Sequence, residues 1–404
     1  MTPPAAFLLI IGSFRIGWGD MLTFLNTGDS FNKARKLLQD PFTQSKCTMF
    51  QDMQLGMTHV LLKHLLSDPK EFDAHLKRYS TAVIIEIAYG HKIISDDDKY
   101  LELTEANGHY LAVGGDWGTT PVDLLPVLRY LPAWFPGAWF IQHARDAGAV
   151  ATALRDYPFE EVLRKLANGT ACKSFTTIGL EALKNENQDS DEDMFRLRNA
   201  AGAMYSAGSD TTWATLTTFV LLMVLNPEKQ RKAQKELDAV LGVGRLPNFS
   251  DRDSLPYLEC VLWETMRWHP VVPLGVPHRL SEDDIYRGYH IPRNSTIIAN
   301  TRCITMDESV YRNPSEFSPE RFLPYPEGRD EPRTNAVFGY GRRVCPGRYL
   351  GEANVWIAIA NLLTAFNFSP IKDADGVERL PKAEFYDSFV GETVAQMPSK
   401  GYEF

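Results

Sequence analysis

Phe338-Gly-Tyr-Gly-Arg-Arg-Val-Cys-Pro-Gly-Arg348 is the stretch that decides how this chain is read. It sets Cys345 between glycine-rich backbone and the start of an apolar stretch, residues 349–366. Leu350, Ala353, Ile357 and Ala360 recur there at helical spacing. A cysteine just before a helix N-terminus meets backbone dipoles that favour its anion. That arrangement suits a thiolate holding a metal centre. Pro346 has no N–H, so donors to the sulfur are expected from Gly347 and Arg348 onward. The glycines at 339, 341 and 347 let backbone lie close to a flat ligand. Taken alone, the residues also allow a buried structural cysteine beside a glycine turn.

The bulk properties narrow the classes. The chain has 404 residues, 44% of them hydrophobic, enough for one large core. Its net charge of −9 argues against bulk nucleic-acid binding. The 5 cysteines show no CxxC spacing, which argues against a disulfide framework or a structural zinc site and fits a reducing compartment. The most apolar N-terminal run, residues 5–11, is far shorter than the roughly 20 residues that span a bilayer.

Upstream of the cysteine the pattern is mainly helical from residue 31 to about 268. Residues 195–225 form a long helical run stopped by Asn226-Pro227. Residues 227–241 read as an exposed charged helix and 256–268 as an amphipathic one. The period then changes. Residues 271–280, 285–291 and 295–300 are short β-branched or alternating segments that predict a small sheet. The expected fold class is mainly α with a small β-sheet region.

Three more features carry chemistry. The long helix contains Ala207-Gly-Ser-Asp-Thr-Thr212. A mid-helix threonine can bond back one turn, and Gly208 removes a side chain there, so a loosened ladder with room for dioxygen is expected, with Asp210 and Thr211 relaying protons. An ordinary buried helix with self-bonded hydroxyls is the alternative. Glu264 and Arg267, three apart, share a helix face flanked by Leu262, Trp263 and Met266, which predicts burial. Pro277-His278-Arg279 leaves the first sheet segment.

The spacing of Phe338, Gly341, Arg343, Cys345 and Gly347 resembles the haem-binding signature of the cytochrome P-450 family, and the other features follow in the family's order. The resemblance runs from about residue 17 to 370 and is nearest the fungal microsomal branch, close to the enzymes named O-methylsterigmatocystin oxidoreductase. It implies the cytochrome P-450 fold and a haem-dependent monooxygenase that inserts one atom of dioxygen into an apolar substrate, in fungal secondary metabolism or xenobiotic oxidation. Cys345 is then the axial ligand of haem iron, and Asp210 and Thr211 are the catalytic acid and threonine. Glu264 and Arg267 match Glu-x-x-Arg, completed by Arg321 of Pro319-Glu-Arg-Phe322, a scaffold that would cost several kcal/mol to break. Arg35, His278 and Arg343 match propionate positions, although Phe31 stands where the family carries a tryptophan. Electrons are expected from NADPH through a separate flavoprotein reductase, at a face made basic by Lys33, Lys36, Arg342 and Arg348. The family's location is the cytoplasmic face of the endoplasmic reticulum membrane.

One departure is expected to matter. Residues 1–30 read as an atypical or truncated N-terminal segment before a single catalytic domain over 31–404, with the family's anchor, first helix and first strand pair expected to be missing. Their loss would expose a sheet edge beside residues 271–280. A haem-binding but inactive truncated remnant is therefore the alternative to the active enzyme. Residues 114–125 and 386–390 are candidate pocket segments by position.

Overall fold

The computed structural model describes residues 18–114, 121–185, 190–242, 244–372, 378–381, 383, 385–386 and 393–394. Ten helices of more than ten residues dominate them: α1 Asp29–Gln39, α2 Gln51–Ser67, α3 Phe72–Tyr89, α4 Lys99–Gly114, α5 Trp139–Ala167, α6 Phe175–Asn185, α7 Asp191–Leu225, α8 Pro227–Leu241, α9 Pro256–Trp268 and α10 Arg348–Ala365. The bounds of α8 and α9 are those the sequence predicts. α7 starts four residues earlier than its apolar period, because Ser190 caps it. The Ser190 hydroxyl accepts from the Asp193 N–H at 3.2 Å, and Asp191, Glu192 and Asp193 fill the first turn. The helix stops at Asn226, where Pro227 cannot continue it and instead opens α8.

α7 is the axis of the molecule. It packs along α3, α5 and α10, and its residues from Leu216 to Val224 are almost wholly buried. One large core joins all ten of these helices; a second, smaller one packs Trp18 and Met21 against Phe140, Ile141 and Ala144 of α5.

The predicted small sheet divides into pairs. β1 (His278–Arg279) pairs antiparallel with β4 (Thr296–Ile297), in the register His278 to Ile297. β2 (Asp284–Tyr286) pairs with β3 (Tyr289–Ile291) across Arg287 and Gly288, both at positive φ (52° and 83°). That is the two-residue turn whose twist suits a hairpin. Near the chain's end β5 (Ile371–Lys372) pairs with β6 (Glu378–Arg379), and β7 (Phe385–Tyr386) with β8 (Thr393–Val394). The stretch 271–280 yields only two strand residues. Pro273 and Pro277 lack ladder donors, and Gly275 turns at φ 62° with a would-be Cβ 3.2 Å from the Ala299 carbonyl. Among the described residues β1 pairs with β4 alone.

Candidate active site

The turn before α10 is built from its glycines. Gly339 and Gly341 sit at φ 81° and 53°, a region closed to most side chains. The bend lets the Cys345 N–H donate to the Phe338 carbonyl at 2.7 Å. This fixes the cysteine where the chain enters α10. Cys345 is exposed, and it lines a cavity of about 870 Å³. Burial pushes the thiol above its ordinary value; the Gly347 N–H, bonded to the sulfur, and the charges of Arg35 and Arg348 pull the other way. Of the donors expected after Pro346, Gly347 is the one that bonds the sulfur.

Most of the sequence-predicted residues meet on this cavity. Phe338, Gly341, Arg343 and Gly347 line it beside Cys345; Arg35 reaches it from α1, His278 from β1 and Thr211 from α7. Arg35 lies below its ordinary pKa through burial and the nearby Arg348, against the pull of Cys345. Arg343 is lowered by burial, Arg35 and Arg342, and His278 by burial and Arg343. Among the described residues no carboxylate lies within ion-pair distance of Arg35 or Arg343. Two guanidiniums half-buried in one wall without a carboxylate partner are suited to an anion. A sulfur on one wall, these cations on its rim and glycine backbone beneath fit haem, a flat group with two carboxylates.

Phe31 is buried in α1, and the Arg343 guanidinium lies 4.0 Å from its ring centroid. The aromatic residue at this position thus keeps a cation–π contact although it has no N–H to donate. The other bonds of Arg343 were illegible in the sequence: it donates to the carbonyls of Leu25 at 2.6 Å and Leu22 at 3.4 Å. Residues 21–27 thereby form part of the cavity wall, held also by Arg279 donating to the Asn26 side chain at 2.8 Å. These backbone acceptors leave no mark in side-chain chemistry.

Asp210 and Thr211 face different ways. Thr211 lines the cavity, and its hydroxyl donates to the Ala207 carbonyl at 2.9 Å. The expected loosening does not follow, since α7 stays α-helical through residues 207–212. Gly208 serves packing instead. A Cβ at 208 would fall 2.7 Å from Ile84 Cγ1, so the bare backbone lets α3 approach closely. Asp210 is buried behind the cavity, towards Gly108 of α4. Its Oδ1 has no hydrogen-bond partner among the described residues. Burial raises its carboxyl to about 6, with Lys77 on α3 opposing.

Glu264, Arg267 and Arg321 stand away from the cavity, all at most 1% exposed. Arg267 grips Glu264 with two bonds of 2.7 and 2.9 Å, and Arg321 Nε donates to the same carboxylate at 2.9 Å. The Ser318 N–H adds a fourth bond at 2.8 Å. One carboxylate cannot balance two guanidiniums. The structure supplies Glu331, paired with Arg321, as the second. Nothing in the local sequence of Glu331 marks it for this role. Of the candidate pocket segments, 115–120 and 387–390 lie outside the described residues.

The family model described as "Cytochrome P450" matches residues 10–389. Cytochrome P450 monooxygenase 176 of Postia placenta is 39% identical over 92% of this chain and 72% of that protein. Tryptamine 4-monooxygenase of Psilocybe cyanescens is 36% identical over 89% of this chain and 72% of its own length. A zebrafish cytochrome P450 structure with abiraterone superposes with a TM-score of 0.72 at 22% identity, over 94% of this chain and 83% of that one, which shows the fold. The chain belongs to the cytochrome P450 family. It is a haem-dependent monooxygenase, and the inactive-remnant alternative is not favoured. The fungal relatives support the family and do not show the expected likeness to O-methylsterigmatocystin oxidoreductase. Among the described residues no helix is long and apolar enough to cross a membrane.

Proposed function

We propose that Cys345 gives the axial sulfur to haem iron, and that Arg35, His278 and Arg343 take the haem carboxylates. The single observation that carries this is the Cys345 sulfur opening on the same cavity as His278 and two half-buried arginines, Arg35 and Arg343, that have no carboxylate partner among the described residues. Haem, when bound, supplies the redox chemistry by which one atom of dioxygen enters a substrate. The protein's part is placement, exclusion of water and proton management. Gly347 donates to the sulfur and tempers the electron density it gives away. Phe338 and Gly341 shape the turn. Asp210, raised to about 6, holds or releases a proton near neutral pH, and Thr211 places on the cavity a hydroxyl oxygen that can accept a hydrogen bond, its own proton lying on the Ala207 carbonyl. Glu264, Arg267 and Arg321 form the scaffold outside it.

The substrate class is apolar and small. Trp18, Met21, Phe24, Val83 and Met204 line the cavity, and fungal secondary metabolism or xenobiotic oxidation suits such a pocket. NADPH enters through a separate flavoprotein reductase. Lys33, Lys36 and Arg342 are exposed and Arg348 is half-buried near Cys345, a basic set that would steer an acidic partner in a salt-sensitive way. Attachment to the cytoplasmic face of the endoplasmic reticulum membrane is supported by an exposed apolar stretch before α5, with Val127, Tyr130, Trp134 (81% exposed), Phe135 and Trp139.

The test is the reduced, carbon monoxide-bound spectrum of the haem-loaded chain. A thiolate-type Soret band that Cys345→Ala abolishes, with NADPH-driven oxidation only when a flavoprotein reductase is added, is the expected result. A band that survives the substitution would remove Cys345 from its role.

A further inference from the structure

Behind the wall that carries Cys345, buried polar side chains join three helices. Gln54 on α2 is 0% exposed; its Nε2 donates to the Leu350 carbonyl at 3.2 Å, while its Oε1 has no partner among the described residues. One turn along, the Thr58 hydroxyl lies 3.1 Å from Tyr79 Oη and 2.8 Å from the Gln54 carbonyl. Tyr79, buried on α3, donates to Asn354 Oδ1 at 2.7 Å and lies 3.2 Å from the Asn354 carbonyl. Asn354 itself lines the cavity.

Adhesion does not explain these groups. Leu61, Leu65 and Ala353 show that the neighbourhood is apolar, and apolar side chains of matching shape hold helices together at least as well as buried polar ones. What hydrogen bonds add is direction. Leu350 and Asn354 are four residues apart, hence on one face of α10. Two bonded points on one face define both the rotation of a helix about its axis and its shift along it. α10 begins at Arg348, and Gly347, the residue before it, donates to the Cys345 sulfur.

We infer that Gln54, Tyr79 and Asn354 are positioning residues for the sulfur: they set the rotation and axial position of α10 so that the Gly347 N–H points at Cys345 Sγ. The inference rests on the reading of Cys345 as the sulfur donor to haem. A donor aimed at the sulfur draws density from it; a donor turned aside leaves the sulfur more electron-rich and the centre harder to reduce.

The experiment uses the haem-loaded full chain with Gln54→Leu, Tyr79→Phe and, as a control, Asn361→Leu. Asn361 is an equally buried polar residue of α10, bonded to the Pro247 carbonyl at 3.2 Å, but lies far along the helix from Gly347. Reduction potential, thermal midpoint and the rate at which the thiolate-type carbon monoxide band decays to the thiol type are measured. Gln54→Leu and Tyr79→Phe are expected to lower the reduced-to-oxidised ratio at fixed potential by about threefold or more and to speed the decay. Asn361→Leu is expected to lower the thermal midpoint alone. If all three variants lose stability with potential and decay unmoved, or all three move them alike, the network is only helix adhesion and the inference is overturned. If the unmutated chain shows no thiolate-type band, the reading of Cys345 falls and takes the inference with it. Should Gln54→Leu fail to fold, Tyr79→Phe, which deletes one oxygen, carries the test.

Discussion

Asp210 is the residue whose environment says most about its chemistry. A carboxyl raised from the ordinary range to about 6 is neutral when the fold is acidified and charged, at a cost, above that value. The folded value exceeds the unfolded one, so its stabilising contribution is complete below about pH 4 and is lost as pH rises through about 6. Asn in its place carries no such charge. Asp210→Asn is therefore expected to stabilise the protein at pH 8 relative to the unmutated chain by on the order of 3 kcal/mol, with little difference at pH 4. Turnover should fall by about a hundredfold. Denaturation midpoints of both proteins at pH 4, 6 and 8 check the first part, and a stability difference that does not depend on pH would refute it. The sequence marks Asp210 and Thr211 as neighbours; it does not say that one faces the cavity and the other lies behind it. That division comes from the helical rotation between adjacent residues and from which helices pack on each side.

At the scale of elements, periodicity and punctuation were legible where the chain is regular. Pro227 and Pro256 mark helix starts, and Asn226 marks an end, because proline lacks the N–H a helix interior needs. The strands were less legible. Residues 271–280 have the composition of a strand, yet two prolines and a close-packed glycine leave only His278 and Arg279 to pair. Gly208 shows the same limit inside a helix: in sequence it reads as a loosening, and in space it is a contact. Gly208→Ala should force α3 and α7 apart or displace Ile84, destabilising the fold by about 1–3 kcal/mol. Adding Ile84→Ala should recover part of that loss, because the shortened side chain removes the clash. Thermal midpoints of the two single variants and the double variant settle it, and strictly additive losses would speak against this contact.

At the scale of the whole molecule, the apolar stretch before α5 and the buried ion cluster are properties that many elements make together. Trp134 and Phe135 are expected to enter a lipid surface. Replacing both with serine should weaken partition into phosphatidylcholine vesicles by roughly tenfold or more while leaving the carbon monoxide spectrum unchanged. Equal vesicle binding by both proteins would count against membrane docking through this stretch. The ion cluster draws Glu264 and Arg267 from α9, Arg321 from the turn Pro319–Phe322 after β4, and Glu331 from further on, so that two carboxylates meet two guanidiniums out of water. By itself the sequence determined the family and its site candidates, through the spacing around Cys345, the Asp210-Thr211 pair and Glu264 with Arg267. It also determined α7 to α10 nearly to the residue, because those features are local in the chain. Only the tertiary structure decided that Arg343 holds the carbonyls of Leu22 and Leu25, that Glu331 balances Arg321, and that α2 and α3 orient the helix following Cys345. These depend on atoms far apart in sequence, several of them backbone carbonyls that every residue carries alike, so their roles arise from position.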